Sequence, residues 1–162
     1  MQNVTDPGAE LIARDIELAA TVRRFPEATV LVVGDLILDR YVTGSVARLS
    51  PEAPIPVLRP TGGRSTLGGA ANVALNVATL GGQAILVGVI GPDQAGAEIE
   101  ALVRGTDRIT PALLTVANRP TTAKTRFMSG AHQLLRLDEE TTAPLPPDAA
   151  DALLALVERE ME

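Results

Sequence analysis

The first residues that could do chemistry follow a stretch with the pattern of a buried strand. Thr29 to Gly34 is apolar and β-branched without polar alternation, which is typical of a central strand in a parallel sheet. Asp35 and Asp39 follow directly. We expect both on the loop at the carboxyl end of that strand, because open α/β sheets bind ligands at that edge. A carboxylate there can accept hydrogen bonds from ligand hydroxyl groups.

A second candidate group lies where a glycine-rich loop is predicted to enter a helix. Gly68 and Gly69 allow close backbone approach and precede the N–H groups of a helix N-terminus. Asn72, in the first turn, adds an amide that both donates and accepts hydrogen bonds. Together with Asp39, these groups suit a polyol such as a sugar. The alternative is structural, in which the glycines make a tight helix entry, Asp39 is a cap and Asn72 a local hydrogen bonder.

The glycines of residues 62–69 do not match the common nucleotide-binding motifs. A P-loop requires Gly-Lys-Ser/Thr after four intervening residues, whereas Gly63 is followed at that distance by Gly68-Gly-Ala. A dinucleotide fingerprint belongs directly after the first strand, where this chain reads Asp35-Leu-Ile-Leu-Asp39 without glycines. We therefore expect neither an ordinary P-loop nor an NAD site.

The amino-acid composition limits the classes of molecule that we expect the chain to bind. The 162 residues include 14 basic and 20 acidic side chains, a net charge of −6, and only 2% aromatic residues. We expect no general nucleic-acid or anionic-lipid surface, although a local cationic pocket for a small phosphorylated molecule stays open. Zero cysteines and one histidine, His132, exclude disulfides, cysteine nucleophiles and thiolate or multi-histidine metal sites. Because no apolar run approaches the roughly 20 residues of a membrane span and no signal-peptide pattern is present, we expect a cytoplasmic protein.

Hydrophobic periodicity predicts the elements that position these residues. An amphipathic helix is predicted over Asp6 to Arg24, within an N-terminal extension of residues 1–28. The helix after the glycines is predicted to bury Val73, Val77 and Leu80. Further strands are predicted at Gln83–Ile90, Leu113–Ala117, Ala123–Met128 and Gln133–Leu137, and further helices at Ala95–Arg104 and Pro147–Met161. The alternation of strands and helices indicates an α/β domain over residues 29–162 with a mostly parallel sheet.

A proline-rich stretch from Leu49 to Pro56 separates two short runs with strand patterns, Tyr41 to Ser45 and Ile55 to Leu58. Proline cannot donate to a central ladder. We therefore predict that residues 41–58 form a projecting flap or edge hairpin, outside the main sheet.

Four segments occur in an order that resembles a known family. They are Val32-Val-Gly-Asp-Leu-Ile-Leu-Asp-Arg-Tyr41, Ser50-Pro-Glu-Ala-Pro-Ile-Pro-Val57, Gly68-Gly-Ala-Ala-Asn-Val-Ala74, and Thr122-Ala-Lys-Thr-Arg126 with Gln133-Leu-Leu-Arg-Leu-Asp138. Over about Val30 to Glu140 the chain resembles the ribokinase-like (PfkB) carbohydrate kinases. Within them it looks like the D-glycero-β-D-manno-heptose 7-phosphate kinases, often fused to a heptose 1-phosphate adenylyltransferase. The resemblance implies the N-terminal half of a three-layer α/β sandwich with a small β-lid.

The resemblance also implies roles for the sugar-binding candidates. Asp39 matches the family's sugar-hydroxyl-binding aspartate. Gly68, Gly69 and Asn72 match the Gly-Gly-x-x-Asn segment that contacts the sugar. The stretch over residues 41–58 matches the β-lid, which covers the sugar and often forms the contact of a homodimer.

Lys124 and Arg126 match the strand region that closes over the substrate. Lys124 is the only lysine of the chain, which makes it a candidate for the phosphate of a sugar phosphate, with a solvated strand residue as the alternative. Arg136 and Asp138 are interpreted as a structural ion pair or strand-edge charges. His132 is interpreted as a surface residue in a turn.

The chain departs from the family in one respect. Such kinases carry a catalytic Gly-x-Gly-Asp motif, with the general-base aspartate, and most of the ATP site in their C-terminal half, and this sequence contains no Gly-x-Gly-Asp. The parent reaction would be ATP- and Mg²⁺-dependent phosphorylation of heptose 7-phosphate, and we expect this chain alone to be inactive. The alternatives are a non-catalytic sugar-binding or dimerising fragment, or a kinase of another sugar or a nucleoside. A downstream reading frame that carries Gly-x-Gly-Asp would favour the kinase.

Overall fold

The computed structural model describes residues 16–162. Residues 16–23 are helical, and a 3₁₀ turn over Phe25–Glu27 leads into the first strand. The elements are β1 (Thr29–Val33), β2 (Leu36–Leu49), β3 (Pro56–Gly68), α1 (Gly69–Thr79), β4 (Gln83–Ile90), α2 (Gln94–Arg104), β5 (Ile109–Thr115), β6 (Thr122–Ser129), β7 (His132–Glu139) and α3 (Pro147–Met161). The predicted N-terminal helix is confirmed over residues 16–23, and its residues 6–15 lie outside the described part. From Gln83 onward the predicted elements are confirmed, with ends that differ by a few residues.

The strands form two sheets. One is parallel, in the order β1-β4-β5, and the other is mixed, in the order β3-β2-β6-β7. In the mixed sheet β2 is antiparallel to β3 and parallel to β6, and β7 is antiparallel to β6. The predicted α/β class with a parallel sheet is confirmed. However, β6 and β7 do not join the parallel sheet, because the long strand β2 offers them a partner in the second one.

An aliphatic core lies between the parallel sheet, β2 and the helices. Leu86 of β4 and Ile99 and Val103 of α2 are fully buried in it. On the other face of the parallel sheet, Val89 of β4 and Leu153 of α3 line a common cavity. Because side chains alternate along a strand, helices α1 and α2 cover one face of the parallel sheet and α3 the other.

Helix α1 buries a different face from the predicted one. Ala71 and Ala74 are completely buried, whereas Val73 and Leu80 are 50% and 62% exposed. The predicted stripe is therefore wrong for Val73 and Leu80, and Val77 is only half-buried. The helix packs closely on the strands beneath it, and alanines allow that approach where larger side chains would not fit.

The hairpin of β2 and β3 is longer than the sequence predicts. Asp39 lies inside β2 and pairs with Thr66 of β3, so its predicted place on a loop is wrong, as is the loop predicted over residues 62–68. The physical reason is that β3 is an edge strand, which tolerates the prolines and glycines that a central strand would not. Residues 50–55 join the two strands outside either sheet. Residues 56–58 lie in the edge strand β3 of the four-stranded sheet and not in the parallel sheet, and the lid over residues 41–58 stays a prediction.

Hydrogen bonds to the Asp93 carboxylate connect the N-terminus of α2 with the segment before β6. One carboxylate oxygen accepts from the backbone N–H of Gly96 at 2.8 Å and the other from the backbone N–H of Thr121 at 2.8 Å. Burial acts to raise the Asp93 pKa, but these hydrogen bonds outweigh it, and the net pKa is lowered from the ordinary 3.8. The ionised carboxylate is therefore the form that stabilises the fold.

Replacement of Asp93 with alanine should lower the free energy of unfolding at pH 7 by about 1–3 kcal/mol, because a helix cap is lost and the N–H of the buried Thr121 is left without its acceptor. A group with a lowered pKa stabilises the fold above its ordinary pKa and loses that effect as the pH falls through the lower folded value. Urea unfolding of Asp93→Ala beside the unaltered chain should therefore give a difference that shrinks below pH 3.8. A difference that is constant down to pH 2 would contradict this assignment.

Candidate functional site

The second sheet presents one face to the core and one away from it. Leu38 of β2 is fully buried in the core, so the alternating residues Asp39 and Tyr41 lie on the opposite side, which we call the outer face. Lys124 and Arg126 of β6 pair in register with Asp39 and Tyr41, which places them on the same face. The sheet therefore brings together three of the predicted site residues that are distant in sequence.

Asp39 and Arg126 form an ion pair on the outer face. The Arg126 Nη1 donates to Asp39 Oδ1 at 2.5 Å, and the two side chains are only 21% and 23% exposed. The hydrogen bond to Asp39 is the largest cause of a raised pKa at Arg126. The second carboxylate oxygen, Oδ2, packs against Gly68, and a Cβ at that position would collide with it. The pairing with Arg126 and the bare backbone of Gly68 together fix where the Asp39 carboxylate lies.

Gly69 makes the turn from β3 into α1. Its φ of +56° lies in the left-handed region, and a Cβ there would collide with the backbone carbonyl of Asp35. That carbonyl accepts from the N–H of Ala70 at 2.9 Å. A tight helix entry at Gly68-Gly69 is therefore a structural requirement of the fold. A direct role of these glycines in ligand binding stays a prediction.

Asn72 lies in the first turn of α1 and is exposed. Among residues 16–162, its side chain makes no hydrogen bond, so its amide is available to a ligand. The predicted convergence of Asn72 and Asp39 on one sugar pocket stays a prediction.

Lys124 is held by two carboxylates rather than by solvent alone. Its Nζ lies 3.2 Å from an oxygen of Glu140 and 3.4 Å from an oxygen of Asp138. The hydrogen bond to Glu140 is the largest cause of a raised Lys124 pKa, against an opposing effect of burial. Arg136 donates to both oxygens of Asp138 at 2.8 and 2.9 Å, which confirms the predicted ion pair and holds the Asp138 pKa below its ordinary value.

His132 is exposed, as predicted, but it begins strand β7 instead of lying in the turn. It pairs with Ser129 across a two-residue hairpin, because the strand ladder continues to the end of β6. Nothing in this position connects His132 with the outer face.

The sequence did not identify two further residues of the outer face, Arg64 and Tyr41, as candidate site residues. The guanidinium of Arg64 lies 4.3 Å from the centre of the Tyr41 ring, and that of Arg126 lies 5.3 Å from it. Arg64 pairs with Tyr41 in the antiparallel register of β2 and β3. No charge pattern in β3 marks Arg64, and its place beside Tyr41 follows only from the pairing of β3 with β2.

A cavity of about 340 Å³ lies where the outer face meets the carboxyl end of β1. Its polar lining includes Asp35, Arg119, Thr122, Lys124 and Glu140. A smaller cavity of about 140 Å³ shares Asp35, Arg119 and Thr122 and continues over the ends of β1 and β4. The volume of the larger cavity is within the range that is common for pockets that hold small molecules. The mixture of hydrogen-bond acceptors and cations suits a polar ligand that carries both hydroxyl groups and negative charge.

The described residues 16–162 include neither a cluster of metal ligands nor a glycine-rich phosphate-binding loop. Within residues 16–162, no group of three or more His, Cys, Asp or Glu side chains is placed to hold a metal ion. The glycines of residues 62–68 lie in a paired strand and not in a phosphate-binding loop. In the same part of the chain, no helix is long and apolar enough to cross a membrane.

The parallel sheet with helices on both faces, together with the second mixed sheet, has the ribokinase-like fold. The sequence pattern of the pfkB family carbohydrate kinases matches residues 27–160. The chain belongs to this family. The fold agrees, since a putative phosphofructokinase from Staphylococcus aureus superposes with a TM-score of 0.62 at 16% identity, over 81% of this chain and 40% of that one.

Among curated proteins, the chain is similar to the Bifunctional protein HldE of Caulobacter sp. (strain K31). The two are 53% identical over 126 residues, which is 78% of this chain and 26% of that protein. This chain thus spans about a quarter of the length of the curated relatives it matches. A ribokinase from Cryptococcus neoformans var. grubii serotype A, solved in complex with ADP, has a TM-score of 0.51 at 23% identity, over 69% of this chain and 34% of that one.

Proposed function

We propose that residues 29–162 form the sugar-binding half of an ATP-dependent carbohydrate kinase. The proposed substrate is D-glycero-β-D-manno-heptose 7-phosphate, phosphorylated at its anomeric hydroxyl. The observation that carries the proposal is the Asp39–Arg126 pair on the outer face, where Asp39 is in register with Lys124, a residue that lines the larger of the two polar cavities. Membership in the pfkB family and similarity to the HldE protein support it. The ribokinase solved with ADP supports ATP as the phosphoryl donor.

In this proposal the chain positions the sugar. Because Arg126 occupies Oδ1 of Asp39, Oδ2 has the lone pairs with which to accept from sugar hydroxyls. The Gly68-Gly69 backbone and the Asn72 amide would complete the contacts, and Lys124 would offset part of the phosphate charge. Phosphoryl transfer depends on positioning and charge neutralisation. We place the general base and most of the ATP and Mg²⁺ site outside these 162 residues.

The isolated chain should bind the heptose phosphate without turning it over. Incubation with ATP, Mg²⁺ and heptose 7-phosphate should give no bisphosphate, because the sequence holds no Gly-x-Gly-Asp motif. Calorimetry should detect binding of the sugar phosphate. Bisphosphate above a no-protein control, in a preparation free of host kinases, would contradict the assignment of the base to residues elsewhere. No binding of any sugar phosphate would defeat the proposed function.

The proposed partner of the chain is a second copy, through the β-lid. At the far end of the second sheet an apolar cavity is lined by Ile55, Pro56, Leu58, Phe127, Leu134 and Leu135. Ile55 and Leu135 are 57% and 60% exposed, which is the surface such a contact would cover. If analytical ultracentrifugation shows only monomers of the chain at high protein concentration, this part of the proposal fails. Use of ATP also implies a cytoplasmic location.

A further inference from the structure

Arg119 is a cation of the cavities with which no carboxylate of the described residues 16–162 forms an ion pair. It lines both the larger and the smaller cavity. Its Nη1 donates to the backbone carbonyl of Ala143 at 2.9 Å, and among residues 16–162 no carboxylate forms an ion pair with it. A guanidinium has five N–H donors, and within residues 16–162 only one of them is used, for the Ala143 carbonyl.

The other cations near the cavities, Lys124 and Arg126, already form ion pairs with carboxylates. Lys124 is shared between Asp138 and Glu140, and Arg126 is paired with Asp39. An anion that approached either cation would also meet its carboxylate partners, so the part of the phosphate charge that Lys124 could offset is reduced and a further cation is needed. Arg119 has no carboxylate in direct contact within residues 16–162, because its protein acceptor is an uncharged carbonyl, and the carboxylates of Asp35 and Glu140 lie elsewhere in the lining of the same cavity.

The backbone that carries Arg119 is held in place on both sides. Asn118 has a φ of +58°, and Pro120 fixes its own φ. Thr121 is buried, its hydroxyl accepts from the N–H of Gly91 at 2.8 Å, and its own N–H donates to Asp93 at 2.8 Å. The guanidinium therefore starts from a fixed segment, and less conformational freedom is lost when it binds an anion.

We propose that Arg119 binds the phosphate group of the sugar phosphate. A guanidinium matches a phosphate through paired hydrogen bonds better than an ammonium does. Glu140, which lines the same cavity, is occupied by Lys124, and Asp35 would accept from sugar hydroxyls. The inference rests on the proposed function, since it names the residue that would distinguish a phosphorylated sugar from the plain one.

The test compares two ligands and three forms of the chain. The ligands are heptose 7-phosphate and heptose without its phosphate, and the forms are the unaltered chain, Arg119→Gln and Arg108→Gln. Glutamine keeps a donor for the Ala143 carbonyl. Arg108 is the matched control, because its Nη1 also donates to a carbonyl, that of Gly81 at 2.9 Å, but it lies before β5, at the other end of the parallel strands.

Calorimetry should show that Arg119→Gln weakens heptose 7-phosphate binding by about ten- to a hundredfold and leaves binding of plain heptose unchanged. Arg108→Gln should alter neither. If Arg119→Gln binds the sugar phosphate as the unaltered chain does, the inference fails while the proposed function stands. If it weakens both sugars equally, Arg119 does not read the phosphate. A third titration, with ATP, separates the two sources of phosphate, since a loss confined to ATP would also overturn the inference.

Discussion

Replacement of Gly69 with alanine should destabilise the fold by about 2–5 kcal/mol. The left-handed backbone of Gly69 costs a residue with a Cβ roughly 1–2 kcal/mol, and overpacking adds about 1–3 kcal/mol. The second cost arises because the new Cβ would collide with the Asp35 carbonyl and approach Ile37. Urea unfolding, with a check that the slope of the transition is unchanged, would measure the effect.

Gly130 is the matched control for this substitution. Its φ of +57° is nearly the same as the +56° of Gly69, but a Cβ at Gly130 would meet nothing within 4 Å. Gly130→Ala should therefore cost only the backbone strain, about 1–2 kcal/mol. Equal losses at the two glycines would show that the approach of the β3–α1 turn to Asp35 does not constrain the fold.

Replacement of Asp39 with alanine should weaken sugar binding by roughly 1.5–3 kcal/mol, on the order of ten- to a hundredfold in affinity. The substitution removes the acceptor for sugar hydroxyls and leaves Arg126 without its carboxylate. Asn72→Ala should weaken the same ligand by a smaller factor, since an uncharged amide makes weaker hydrogen bonds. Titration of both variants with heptose 7-phosphate checks the prediction. In a protein that carries the ATP site, ATP affinity should stay nearly unchanged.

Glu98→Gln is the control variant, because it removes an ion pair of the same strand, β2, that lies outside the proposed sugar site. Glu98 of α2 accepts from Arg40 of β2 at 2.8 Å, and Arg40 lies on the face of β2 opposite to Asp39. The hydrogen bonds of Glu98 with Ser65, and then with Arg40, lower its pKa, so the pair is charged at neutral pH. Sugar affinity should survive Glu98→Gln. A loss equal to that of Asp39→Ala would assign the effect of Asp39 to sheet stability and not to ligand contact.

The sequence predicted the elements whose signals are local. Gln83–Ile90 and Pro147–Met161 were predicted with the bounds that the structure has, because a continuous apolar run and a helical period are properties of neighbouring residues. The family was also readable from the sequence, since its motifs are short and occur in a fixed order. The Arg136–Asp138 pair was predicted for the same reason, as its members lie two positions apart on one strand.

The length of β3 could not be read in this way. Its glycines and prolines favour a loop by every local measure, and only pairing with β2 at the sheet edge makes the segment a strand. The place of Asp39 inside a strand follows from the same pairing, in which Asp39 is in register with Thr66 of β3. The buried face of α1 depends on how closely the strands approach it, which favours Ala71 and Ala74 over larger neighbours.

The sequence therefore determined the residue types of the candidate site, and the tertiary structure determined which of their side chains lie in contact. The sequence identified Asp39, Lys124 and Arg126 individually. Only the parallel pairing of β2 with β6 brings Asp39 to Arg126, 87 positions away. The antiparallel pairing of β6 with β7 brings Asp138 to Lys124, and Glu140 follows directly after β7. Arg119 differs in that no carboxylate of residues 16–162 forms an ion pair with it. Charge compensation depends on distances of a few ångströms in space, and sequence separation carries no information about those distances.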